Sequence, residues 1–168
     1  LLAIALLLTA LVCPPSGAQS TDRPRPVPLE PDVRARCLEV LRDALKSQEF
    51  WPAMHAAEAL TLAGSGDEVA TVLAKALPHE RDDQRRCGLA RELVRAGRRE
   101  HLQVLLQVLA DPQSNGRVHA AESLYKLGET TGGEQLRAAY LDATNSPLQL
   151  WAAAALARAG DGAALTLL

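Results

Sequence analysis

Alanine and leucine recur at fixed positions in four ten-residue phrases of this chain. The phrases start at residues 55, 88, 119 and 151, so successive starts are 33, 31 and 32 residues apart. Each phrase has alanine third and leucine sixth, a spacing that predicts the buried face of an amphipathic helix. Each closes on a glycine, which tolerates the left-handed backbone that ends a helix. The phrases read HAAEALTLAG, GLARELVRAG, HAAESLYKLG and WAAAALARAG.

Further apolar positions widen the predicted stripe. The slot before the phrase holds Met54, Cys87, Val118 and Leu150, and the ninth position holds Ala63, Ala96, Leu127 and Ala159. A second apolar run follows each glycine, near residues 69–77, 102–109, 136–141 and 165–168. Each unit is therefore predicted to be a helix, a glycine turn and a second helix. One pair cannot bury its apolar face alone, whereas stacked pairs can.

The third copy is the most regular, with RVHAAESL at residues 117–124 followed by Gly128. The second copy departs most, because Gly88 and Leu89 alter its opening and Arg91 replaces a small or acidic residue. Over about residues 50–168 the pattern resembles the short HEAT-like repeat of phycobilisome-lyase-type proteins. The resemblance implies an all-α fold, a right-handed α-α superhelix (HEAT-like solenoid) of about three and a half helix pairs. It also implies binding or scaffolding, without a catalytic motif.

The chain divides into a terminal helix and four units on this pattern. A capping helix is expected over residues 32–50, with Asp32 at its start and Val33, Cys37, Val40, Leu41, Ala44 and Leu45 on its apolar face. Units are expected near residues 51–80, 81–112, 113–145 and 146–168. The last unit is cut short, which would leave Leu165, Leu167 and Leu168 without a neighbour. This suggests a fragment of a longer protein.

Residues 1–18 have the pattern of an N-terminally incomplete signal peptide. An apolar stretch is followed by Ser16-Gly17-Ala18, which fits a cleavage site after Ala18. A lipid anchor at Cys13 is one alternative, although the preceding residues fit that signal poorly. An uncleaved anchor helix is another, although the stretch is short for a membrane span. Residues 19–31, with four prolines, predict a stiff linker. We therefore expect an exported bacterial protein, periplasmic or secreted.

The composition is apolar but poor in aromatic residues. Hydrophobic residues make up 48% of the chain and aromatic residues 3%, which favours a core of leucine and alanine. The net charge of −2 gives no general attraction to nucleic acid or to a membrane surface. The sequence carries no recognisable nucleophile motif, phosphate loop or CxxC pair, so no cofactor and no small-molecule substrate are expected.

Two His–Glu pairs occupy equivalent positions, His55 with Glu58 and His119 with Glu122. A spacing of three residues puts each pair on one helix face, where two pairs could frame a metal ion. HEAT-repeat di-iron hydroxylases use adjacent His-Glu dipeptides on helices instead, and the single such dipeptide of this chain, His79-Glu80, is expected at a loop edge. We therefore favour polar residues at a helix edge.

The remaining cysteines, arginines and tryptophans each allow two interpretations. Cys37 and Cys87 could form a disulfide in an oxidising compartment, but their apolar register favours buried free thiols. The arginines of the second unit could form a basic patch, but interleaved acidic residues favour a face of salt bridges. Trp51 and Trp151 could anchor a partner or cover the seams between helices, which we favour. The arginines of the second unit are Arg81, Arg85, Arg86, Arg91, Arg95, Arg98 and Arg99.

The function expected from these patterns is non-enzymatic protein–protein interaction or scaffolding. A partner would lie along the row of second helices, with Lys75, Gln103, Gln107 and Arg137 as candidate contact residues. Contact with a membrane is expected only through an uncleaved signal or a lipid anchor. One alternative is an accessory repeat segment of an exported enzyme whose catalytic domain lies beyond Leu168. A third hypothesis is a lyase or hydroxylase built on the repeats themselves.

Overall fold

The computed structural model describes residues 28–168, and within them the regular structure is helical throughout. The predicted signal peptide, its cleavage site, Cys13 and most of the linker lie outside the described residues. The eight α-helices of this region are α1 (Pro31–Leu45), α2 (Phe50–Leu62), α3 (Gly66–Ala76), α4 (Asp83–Arg95), α5 (Leu102–Ala110), α6 (Arg117–Leu127), α7 (Gly133–Tyr140) and α8 (Ser146–Arg158). Short 3-10 turns follow α3, precede α5 and end the chain at Ala164–Leu167.

Helices α2 and α3 form a contacting pair, as do α4 and α5, and α6 and α7 follow in the same order along the chain before α8 begins a fourth unit. Helix α1 packs on α2 at the N-terminal end. The first helices of the pairs, α2, α4, α6 and α8, each contact the next, whereas contacts between successive second helices are sparser. This arrangement confirms the predicted all-α solenoid, while its handedness stays a prediction. No described helix combines the length and apolarity needed to cross a membrane.

The recurring alanine and leucine form the packed interior of the first helices. The four alanines at the third phrase position are fully buried, which lets neighbouring helices approach closely, and the four leucines at the sixth position are 0–3% exposed. Each phrase then ends in the same way. The residue after the closing glycine donates its backbone N–H to the carbonyl of that leucine, at 2.9–3.0 Å, and each glycine has a positive φ. The predicted helix stops are therefore confirmed as Schellman-type caps.

The core consists of two clusters that meet at α4. Leu89 and Leu93 join the N-terminal cluster of α1, α2 and α3, whereas Cys87, Ala90 and Val94 join the C-terminal cluster of α5 to α8. Burial raises the pKa of the Cys87 thiol to about 12, as expected for a cysteine that serves as a core residue.

Three parts of the predicted apolar stripe are wrong. Leu150 on α8 is 50% exposed, and Leu141, which follows α7, is 74% exposed. The ninth phrase position is partly covered in the first three copies and exposed at Ala159. On α1, Cys37 and Val40 are exposed, while Leu38, Leu41, Ala44 and Leu45 face the core.

Helix α1 is thus rotated relative to the prediction, because Leu38, Leu41, Ala44 and Leu45 are the side chains that pack against the core. In this orientation Arg42 Nε lies 3.0 Å from both carboxylate oxygens of Glu68 on α3. Asp32 lies in the first turn of α1, which begins at Pro31 rather than being capped by Asp32. A Cys37–Cys87 disulfide is also wrong, since both thiols are free.

Candidate interaction surface

Four of the five aromatic side chains lie on the first helices of the pairs. The chain has one Phe, two Trp and two Tyr, and the exception is Tyr140 on α7. The first, fourth and eighth positions of each phrase are partly or fully exposed on α2, α6 and α8, whereas Gly88 and Arg91 at the first two of these positions on α4 are buried. We call the surface formed by Trp51, His55, Arg91, His119, Glu122, Tyr125, Lys126, Trp151 and Arg158 the first-helix surface.

Trp51 reaches across α4 to contact α6. Its ring stacks on that of His119, with centroids 5.4 Å apart and planes inclined by 17°. Gly88 on α4 has no side chain, and this leaves the gap that Trp51 occupies. A Cβ added at Gly88 would lie 3.1–3.4 Å from the rings of Phe50 and Trp51. The irregular opening of the second copy therefore has a structural reason, because the slot that holds His or Trp in the other copies is filled here from α2.

Trp151 covers the next seam of the surface. Its ring lies 5.5 Å from that of Tyr125, and the Arg158 guanidinium lies 5.6 Å from the Tyr125 ring. Arg158 Nη1 also donates to the Tyr125 carbonyl oxygen at 2.8 Å. Both tryptophans therefore cover seams between first helices, as the favoured interpretation predicts. Trp51 nevertheless keeps 38% of its surface exposed, so the same ring is also accessible to a partner.

A cavity of about 170 Å³ opens beside Trp51, and we call it the Arg91 cavity. It joins residues of three first helices, because Gly88 places no side chain between α2 and α6. The two histidines of the predicted His–Glu pairs meet here, which sequence spacing did not predict. Its lining residues are Trp51, His55, Arg91, His119, Glu122 and Lys126.

The glutamates of the two His–Glu pairs are engaged by cationic side chains. Lys126 Nζ lies 2.7 Å from Glu122 Oε1, whereas His119 Nδ1 is 3.8 Å from Glu122 Oε2. Glu58 Oε1 lies 3.0 Å from Arg95 Nη2. Across residues 28–168 no cluster of three or more His, Cys, Asp or Glu side chains is arranged to hold a metal ion. The contacts favour ion-pair partners at a helix edge over metal ligands.

A buried ion-pair network lies behind the cavity. Glu92 is fully buried, and its Oε1 accepts from Arg91 Nε at 2.6 Å while its Oε2 accepts from Arg95 Nε at 2.9 Å. Three other arginines of the second unit also pair with acidic residues at 2.6–2.9 Å, and Arg85 lies 3.9 Å from Glu80. This supports the interpretation of the arginine-rich unit as a salt-bridged face. The three are Arg86 with Asp83, Arg98 with Asp67, and Arg99 with Glu129.

The four candidate contact residues from the sequence are exposed on the second helices. Gln103 and Gln107 on α5 line a groove of about 350 Å³ between α5 and α7. Lys75 lies on α3, and Arg137 on α7 lies 3.4 Å from Asp161. The structure therefore brings two of the four together. The first-helix surface has paired aromatic side chains, which the four candidate residues lack, and the Arg91 cavity. The sequence analysis identified the aromatic and histidine residues separately but did not predict the cavity.

A family model for HEAT repeats matches residues 86–157, which extend from α4 into α8. No curated protein and no solved structure matches the chain. HEAT repeats generally mediate protein–protein interaction and are typically non-catalytic. The match and the stacked helix pairs lead to the same conclusion. Residues 86–157 are similar to HEAT repeats, and the described residues form a HEAT-like α-solenoid.

Proposed function

We propose that this chain is a non-enzymatic interaction module of an exported bacterial protein, and that it binds a segment of a partner protein across the first-helix surface. The placement of the aromatic residues carries the proposal. In a chain with 3% aromatic residues, the Trp51–His119 and Tyr125–Trp151 pairs lie on successive seams of one surface. Aromatic residues and arginine are enriched at the centres of protein interfaces.

The contacts of these residues also suit binding. Trp51 and Trp151 are held by neighbouring rings, and Arg158 is fixed on Tyr125. Side chains that are already ordered lose little conformational entropy on association. Export rests on the sequence pattern of residues 1–18.

The test is selection of random-sequence peptides on the purified full chain. Both tryptophans of the chain lie on the proposed surface, so binding is measured by tryptophan fluorescence and by isothermal calorimetry. Trp51→Ala and Tyr125→Ala are expected to weaken binding of the selected peptides at least about tenfold, as truncation of interface hot spots does. Circular dichroism and urea unfolding check that each variant is folded.

Lys75→Ala and Gln107→Ala on the second helices are the matched controls, since both residues are exposed. These variants are expected to leave peptide affinity unchanged. If they weaken binding while the first-helix variants do not, the partner surface is the second-helix row and the proposal is wrong. Failure to select any peptide that binds the chain would also overturn it.

A further inference from the structure

We infer that the Arg91 cavity receives a carboxylate, supplied by an Asp or Glu side chain of the bound partner segment. The inference rests on the proposed function and adds the chemistry of the partner residue. It depends on a buried arginine with unused donors and on the cavity's size.

Arg91 is the central group of the cavity. The residue is 5% exposed and lines the cavity wall. Its Nε donates to Glu92, and within residues 28–168 we find no hydrogen-bond partner for its two Nη groups. A guanidinium has five N–H donors in a planar fork that matches a carboxylate. The Nη donors are therefore available to a ligand that enters the cavity.

Behind the cavity the charges are balanced, because Glu92 accepts from Arg91 and Arg95 while Arg95 also pairs with Glu58 at 3.0 Å. Arg95 donates to the other oxygen of Glu92 at 2.9 Å. The charged groups that line the cavity itself are Arg91 and Lys126, both positive, and Glu122, which Lys126 contacts at 2.7 Å. Among these groups Arg91 is the one whose Nη donors have no partner within residues 28–168, and its planar fork matches a carboxylate.

The size of the cavity favours one side chain over a whole ligand. Its volume is about 170 Å³, below the roughly 300–1,000 Å³ of typical small-molecule sites. Trp51 and His119 supply stacked rings at the cavity wall, against which the methylene groups of an acidic side chain can pack. The rest of the partner segment would then lie on the exposed part of the first-helix surface.

The test compares selected peptides with isosteres in which each Glu becomes Gln or each Asp becomes Asn. Replacing the acidic residue is expected to weaken binding about ten- to hundredfold, because a buried charge-assisted hydrogen-bond pair is lost. The change is made in the peptide, so the fold of the protein is unaffected. A library without acidic residues, selected in parallel, should yield only weaker peptides.

Two protein variants identify the arginine that matters. Arg91→Lys keeps the charge but removes the planar fork of N–H donors. We expect it to weaken binding of the acidic peptide about tenfold and to change binding of the isostere little. Arg99→Lys is the matched control, since Arg99 belongs to the same arginine-rich unit but pairs with Glu129 and does not line the cavity. It should leave peptide affinity unchanged once folding is verified.

The outcomes separate this inference from the proposed function. If peptides bind and depend on Trp51, but acid-free peptides bind equally well and Arg91→Lys has no effect, the carboxylate is wrong and the interaction surface stands. If no peptide binds, both fail. Acetate and inorganic phosphate are titrated onto the protein alone at matched ionic strength. If either binds as tightly as the acidic peptide, the cavity is a small-anion site and the partner assignment is wrong.

Discussion

Helix α4 differs from α2, α6 and α8, although all four carry the same phrase. Its alanine and leucine at the third and sixth positions are as deeply buried as in the other copies. Its first position is Gly88, and its fifth is the buried, charged Glu92 where the other copies hold Ala59, Ser123 and Ala155. The comparison shows that two positions per phrase maintain the stack. The second position is also apolar and buried in every copy, and the closing glycine is constant. Other positions vary, and in α4 they create a gap and a charged network beside the Arg91 cavity.

The largest effect expected from this comparison is at the fifth position. Glu92→Ala leaves the guanidinium of Arg91 buried without its ion pair, while Arg95 keeps Glu58. We expect a loss of about 3 kcal/mol in the free energy of unfolding, at the low end of the roughly 3–5 kcal/mol for breaking a buried pair. Urea unfolding monitored by circular dichroism measures it.

Ser123→Ala is the matched control, since Ser123 occupies the same slot on α6 and its buried Oγ has no hydrogen-bond partner among the described residues. Removing this hydroxyl is expected to stabilise the protein by up to about 1 kcal/mol. Equal losses in the two variants would show that the charge network of α4 does not set this helix apart.

A smaller effect is expected at the first position. Gly88→His gives α4 the residue found in two other copies, but the new Cβ begins 3.1 Å from Phe50. We expect Trp51 to be displaced and the protein to lose roughly 1–3 kcal/mol, the usual cost of overpacking. With Trp151→Phe as background, Trp51 emission should shift to the red. Gly88→Ala is the milder control, in which better helix propensity of about 1 kcal/mol offsets the crowding. Unchanged emission in Gly88→His would mean that the gap does not seat Trp51.

The smallest effect concerns the N-terminus of α4. Ser114 Oγ donates to Asp83 Oδ2 at 2.6 Å, and this bond, with Arg86, lowers the pKa of Asp83 below its ordinary 3.8. The stabilisation is therefore present above about pH 4 and is lost as pH falls through the lowered pKa of the folded state. Ser114→Ala should cost about 1 kcal/mol at pH 7 and less at pH 3. A cost that is the same at both pH values would contradict an ionised Asp83 as the acceptor.

The sequence predicted the repeating parts of the fold well because each depends on local structure. A helix stop at a glycine and a stripe at a spacing of three residues are properties of a few adjacent turns. The exposure of Leu150, Leu141 and Val40 could not be predicted in this way. Whether an apolar residue is buried there depends on which helix lies opposite, and that helix is far away in the sequence.

In the candidate site, too, the sequence shows the individual residues but not the contacts between them. Trp51, His119 and Arg91 each stand out in the sequence, but their spacings of 40 and 28 residues do not predict contact. The missing side chain at Gly88 is visible as a departure from the phrase. Its effect on Trp51 appears only when α2 is packed against α4.

By itself, the sequence determined the helix pairs, their glycine caps and the alanine–leucine interior, because backbone conformation and hydrophobic periodicity act over single turns. Tertiary structure decided which variable positions meet. It placed Trp51 on His119 across Gly88 and divided Glu92 between two arginines. These contacts join residues of different repeats, so they arise only when neighbouring helices stack at close range.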